Sequence, residues 1–197
     1  MSAALDLANA FQPLLHIGEL RMVQPAESHH VFGAGFLFIG SLMTVEGLSG
    51  SVWHRSRART LMFPAVLILL GWGMIAVTAV EPQARLVHFS MGLPMIAGGW
   101  AEARSRLDGF PRRYADVLIV TGLVLASAET VAFHLNGTTT MTVVAHAGLA
   151  ALALVVAGLR LYQTAQPESL ARSLLISLAL VAIGMVLWLD GFFQLPA

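Results

Sequence analysis

Residues 61–80 read LMFPAVLILLGWGMIAVTAV, twenty consecutive positions with no charged side chain. At 1.5 Å per residue a helix of that length is about 30 Å long, which is the thickness of a bilayer hydrocarbon core. A helix on the surface of a soluble protein keeps one polar face for water. This stretch offers a single hydroxyl, Thr78, and so has no such face.

Five more apolar stretches flank it, at about 31–50, 86–101, 115–134, 141–159 and 173–189. Those at 86–101 and 173–189 are slightly short and borrow flanking residues to cross a membrane. Backbone polar groups in lipid must be satisfied within their own segment, so every span is expected to be a helix. The whole chain agrees: 57% of its 197 residues are apolar and 11% charged, against about 25% charged in soluble proteins. The expected fold is all-α, a polytopic membrane protein of six transmembrane helices that can be grouped as three helical hairpins. One domain, residues 29–197, accounts for all six.

Residues 1–28 differ. Leu7, Phe11, Leu14 and Leu15 fall on one helical face, with Asp6, Gln12, Glu19 and Arg21 among them, the pattern of an amphipathic helix lying in the membrane interface. Pro13 and Gly18 divide it into two pieces. No basic start and long apolar run of a signal peptide is present before Pro25.

The eleven cationic side chains are all arginine, and nine of them (Arg55, Arg57, Arg59, Arg104, Arg106, Arg112, Arg113, Arg160 and Arg172) fall in the loops after spans one, three and five. Arg21 and Arg85 alone fall on the other side. By the positive-inside rule the arginine-rich loops are cytoplasmic, in the inner or plasma membrane, and both termini are outside, in the periplasm of a Gram-negative cell. The formal charge of zero argues against nucleic acid as a partner. The expected partners are the lipid bilayer and either other membrane subunits or a second copy of the chain.

With no cysteine there is no thiolate metal site, iron–sulfur ligation or covalent haem attachment, and with no lysine no Schiff base. Histidine remains, and it is one-sided. His29, His30, His88, His134 and His146 all fall in the outer half, joined there by Glu81, Glu129 and Asp190. His30, His88 and His146 are spaced by 58 residues each, as a repeat of three hairpins would place them. Imidazole with carboxylate suits zinc, iron or copper, and paired imidazoles suit the iron of haem b. Taken singly, each histidine is equally at home hydrogen-bonded at the interface.

Glu129 lies several ångströms inside its span among alanine and valine, where an unpaired charge costs on the order of 2–3 kcal/mol. It is therefore protonated, paired, or bound to a cation. His88, Met91 and Met95 share a helical face, an imidazole and two thioethers in the manner of copper(I) or haem ligands, although methionine at this spacing also fills cores. The candidate cofactor-binding residues are thus His88, His146, His134 and His30, and the candidate metal ligands His88, His146, His134, Glu129 and Met91.

At the inner end Glu46, Trp53, His54 and Arg55–Arg59 face Glu102–Arg113 and Asp116, and Glu102 pairs with Arg106 at i, i+4. This reads as an anchor on anionic lipid, with a quinone or anionic-substrate pocket as the sharper alternative. No HExxH, phosphate-binding glycine loop or nucleophile elbow occurs, so nothing decides whether the chain is an enzyme.

Leu37-Phe38-Ile39-Gly40 in the first span, with His88 and His134 near the outer face, resembles the proton-gated urea and amide channels. That resemblance implies six spans in three hairpins, both termini outside and a solute pore. Three functions are therefore expected to compete. The first is an outer-leaflet transition-metal or haem site for membrane redox chemistry or metal handling. The second is a pH-sensitive channel or transporter for a small polar solute, and the third a structural subunit of a respiratory-type complex.

Overall fold

The computed structural model describes residues 25–77, 85–134, 140–166 and 169–193. The interfacial segment expected over residues 1–28 lies outside them, apart from its last four residues, which begin the first helix. Among the described residues the chain forms seven helices and no strand. They are α1 (Pro25–Ser49), α2 (Ser51–His54), α3 (Arg57–Val77), α4 (Arg85–Asp108), α5 (Arg112–His134), α6 (Thr140–Ala165) and α7 (Leu170–Phe193). The six long ones coincide with the six apolar stretches of the sequence.

Five of the six, α1, α3, α5, α6 and α7, are long and apolar enough to cross a membrane. The sixth, α4, carries Glu102, Arg104, Arg106 and Asp108 in its final turns. Leu48, Leu69, Leu178 and Val144 are each more than half exposed on the outside of the bundle. An outer surface of that kind matches lipid rather than water. An all-helical chain with five such helices has the make-up of a polytopic helical membrane protein.

The long helices close into a ring. Helix α3 packs on α4, α4 on α5, α5 on α6, α6 on α7, and α7 returns along α1, which also touches α3. Chain direction alternates around the ring, so each helix end meets the opposite ends of its neighbours. Glycine sets the closest approaches. A Cβ on Gly184 of α7 would lie 2.6 Å from the backbone nitrogen of Leu37 and 2.8 Å from the carbonyl oxygen of Gly33, both on α1. Between α3 and α4, Gly71 and Gly92 meet in the same way, each hypothetical Cβ 2.7 Å from the other's carbonyl oxygen. Small residues at such crossings let backbones touch without a side chain between them.

A direct check follows for the seam that closes the ring. Gly184→Ala is expected to cost about 1–3 kcal/mol in reversible unfolding from mixed micelles, the usual penalty for overpacking. Gly148→Ala, where nothing lies within 4 Å of the added Cβ, should be neutral or slightly stabilising because alanine favours helix. Equal behaviour of the two variants would contradict the close α1–α7 seam.

The buried core lies inside the ring, around Ile39, Phe63, Leu67, Val156, Ile176 and Leu180. It is not completely filled: a cavity of about 150 Å³ lies on the axis, walled by Phe36, Leu67, Met91, Leu123, Ala153 and Leu180 from the six long helices in turn. The polar groups therefore gather at the two ends of the bundle. At one end Gly50, with φ 53°, ends α1 and turns the chain into α2, whose Trp53 is buried.

Candidate functional site

Three chain segments meet at the end where α1 and α6 begin and α7 finishes. Because α1 runs antiparallel to α7, its first turns stand beside the last turns of α7, and this puts His29 against Asp190. His29 Nδ1 is 2.9 Å from Asp190 Oδ2. Helix α6 packs on the other side of α7 and brings His146, its ring centroid 5.9 Å from that of His29 and tilted 57° to it. One donor atom from each of His29, His146 and Asp190 lies within 4.8 Å of the other two. His146 and Asp190 are 5% and 2% exposed.

Buried carboxylates persist only with a compensating partner. Asp190 has His29 Nδ1 at 2.9 Å as one such partner. Two nitrogens and one oxygen from three different helices, placed in this way, could hold a metal ion.

The histidines and their companions named from the sequence divide among separate places. His146 belongs to this group. His30, one residue along from His29 and so about 100° around the helix, turns instead to Trp188, with ring centroids 5.1 Å apart. His88 sits half-buried on α4, whose backbone does not pack against that of α6 among the described residues because α5 stands between them. Glu129 on α5 faces α4, where Ser90 Oγ is 2.5 Å from both of its carboxylate oxygens. Met91 and Met95 line the central apolar cavity. His134 ends α5, and its side chain lies outside the described residues. His29 and Asp190 were left out of the sequence-derived ligand set, and the signal that could have supplied them is the neighbouring of the first and last helices.

The arginine-rich end carries a second, larger polar construction. Glu102 of α4, 2% exposed, accepts from Arg106 Nε at 2.8 Å through one oxygen and from Arg160 Nη2 of α6 at 3.2 Å through the other. Arg106 Nη1 also donates to Glu46 Oε1 of α1 at 2.8 Å and to the Thr60 carbonyl of α3 at 3.0 Å. Arg160, 3% exposed, donates through Nε to Asp116 Oδ1 of α5 at 2.9 Å. Both guanidiniums stack near the Phe63 ring, at 5.3 Å and 5.8 Å. Five helices are thereby tied together, and the i, i+4 pair expected from sequence is one strand of a network that crosses the bundle.

No protein-family model matches this sequence, and no curated protein matches it. The functional reading rests on the geometry of the two ends.

Proposed function

We propose that this chain is a membrane protein that binds a divalent transition-metal ion, zinc or iron(II), between His29, His146 and Asp190. The carrying observation is the convergence of those three donors within 4.8 Å from three helices, with His146 and Asp190 buried. Metal–nitrogen and metal–oxygen bonds of about 2.0–2.2 Å require donors somewhat closer together than that limit, a closure within reach of side-chain rotation. The donor set contains no sulfur, which favours zinc or iron(II) over copper(I). A carboxylate beside the two imidazoles is also not the axial set of a haem. Three protein ligands leave a position for water or a small ligand, the arrangement through which such ions act as Lewis acids.

The alternative of an open path for a polar solute is supported less well. The middle of the ring is walled almost wholly by apolar side chains, and an apolar cavity of this kind stays dry.

In this reading α4 is the sixth span: its 24 residues would extend for about 36 Å. The arginine-rich end then faces the cytoplasm and the metal site faces outward, with the amphipathic segment of residues 1–28 on the outer surface. Because the chain has no cysteine, a single cysteine at Ser56 reports sidedness directly. It should react with a membrane-impermeant maleimide only after the inner face is opened. Labelling of sealed cells from outside would reverse the orientation.

The metal reading is tested on detergent-purified protein stripped with chelator and titrated with zinc and, anaerobically, iron(II). One equivalent should bind saturably, and binding should weaken in acid, because imidazole ligates only when neutral and metal must displace its protons. No saturable equivalent of either ion would overturn the proposal.

A further inference from the structure

A second binding site is built at the opposite end of the bundle. Between α1, α4, α5, α6 and α7 lies a polar cavity of about 400 Å³, a volume within the range of about 300–1,000 Å³ typical of small-molecule sites. Arg106, Arg112 and Arg160 line it together with Ser105, Ser169 and Ser173. We propose that this cavity binds a phosphate group, carried either by a small soluble ester or by a lipid headgroup.

Three independent features point to an oxyanion. The first is donor supply. A guanidinium has five N–H donors in a planar fork, and the bonds of Arg106 engage its Nε and Nη1 and those of Arg160 its Nε and Nη2. The remaining terminal nitrogen of each, Nη2 of Arg106 and Nη1 of Arg160, is left for a ligand, on side chains already fixed in place by buried carboxylates. Such a pre-ordered pair gives up little side-chain freedom when it binds.

The second feature is the state of the acidic groups in the wall. Glu102 has both oxygens occupied by arginine, and Glu46 accepts from Arg106 through Oε1. Asp116 is held on Arg160 and does not line the cavity. The carboxylates therefore serve to position the arginines. Arg112, exposed at the start of α5, adds a third cation on the cavity wall.

The third feature is backbone direction. Helices α5 and α7 both start at this cavity, with Arg112 and Leu170 in its wall. Their positive dipole ends favour an anion there, against the opposing C-terminal end of α1 that Gly47 and Gly50 bring to the same wall.

Delipidated full-length protein, titrated calorimetrically with sn-glycerol 3-phosphate and, separately, placed in nanodiscs of phosphatidylglycerol or phosphatidylcholine, tests this. The variants, Arg112→Gln and Ser173→Ala, lie on the cavity wall at an exposed and a part-buried side chain, so that the buried hydrogen bonds of Glu102, Arg106 and Arg160 are kept. Saturable glycerol phosphate binding that weakens about tenfold in Arg112→Gln supports the site with a soluble ligand. Phosphatidylglycerol that the parent retains through delipidation in preference to phosphatidylcholine, and that Arg112→Gln releases, supports the same site with a lipid ligand. If neither probe binds, or if binding is unchanged in both variants, the proposal is overturned. The metal reading of the other end stands or falls separately, because no residue is shared.

Discussion

Glu102→Leu is expected to destabilise the folded protein by about 3–5 kcal/mol, the cost of removing one partner from a buried ionic cluster. The carboxylate is 2% exposed and shared between two guanidiniums, Arg106 at 2.8 Å and Arg160 at 3.2 Å. Its loss leaves two largely buried positive charges close together without the anion that they share. Arg160 keeps Asp116 at 2.8 Å and Arg106 keeps Glu46 at 2.8 Å, which holds the effect toward the lower end of that range.

The attraction within such a network mostly offsets the cost of bringing its charges out of water. Removing the three interior members together, as Glu102→Met with Arg106→Leu and Arg160→Met, should therefore recover part of the stability that the single change loses, even though Glu46 and Asp116 are left without their arginines. The exposed pair Arg104–Asp108, 2.7 Å apart but about half solvent-accessible on both sides, is the control. Truncating Asp108 to alanine should change stability by about 0.5 kcal/mol or less. Reversible unfolding in mixed micelles measures all three. A Glu102→Leu protein within about 1 kcal/mol of the parent would show that the network does not hold the five helices together.

How much of this was legible in the sequence follows from which interactions are local. The six long helices lie where apolar runs of membrane-crossing length lie, because in each of them the backbone must bond to itself whatever its neighbours are. Glu102 with Arg106 was readable as well, because residues four apart on one helix always face the same way. Arg160 and Asp116 were not. They come to Glu102 from α6 and α5, and no spacing rule connects positions 102, 116 and 160 before the ring is assembled.

The outer end shows the same limit more sharply. His29 and His30 are adjacent and chemically identical, and only the rotation of α1 against α7 decides which of them meets Asp190. That rotation is set by the glycine seam at Gly33, Gly40 and Gly184, where side chains are absent and backbones touch. Sequence shows where the glycines are but not what each of them meets, so nothing in it places the first and last spans side by side. The equal spacing of His30, His88 and His146 suggested one site at one depth. The ring instead puts α5 between the helices carrying His88 and His146, and turns His30 to Trp188.

That separation of the histidines gives the metal proposal its most discriminating expected result. Asp190→Asn nearly preserves side-chain shape and removes only the anionic donor, so it should weaken zinc by more than about 100-fold, given that losing an outer-shell partner of a ligand alone costs about 10–100-fold. His146→Ala and His29→Ala should each do likewise. His30→Ala, His88→Ala and Glu129→Gln, which alter the other outer-half candidates, should leave zinc affinity unchanged. The competing explanation is a histidine–aspartate pair with a purely structural role. It also makes Asp190→Asn less stable, so stability alone does not separate the two. Linkage does: an ion that binds only the folded state adds about 2.7 kcal/mol at a free concentration of 100 times its dissociation constant. The parent should show that zinc-dependent increment in mixed-micelle unfolding, and Asp190→Asn should lack it at the same zinc concentration. A parent whose stability ignores zinc would reduce the three residues to a helix-packing contact, while an increment that survives Asp190→Asn but vanishes in His88→Ala would move the site to α4.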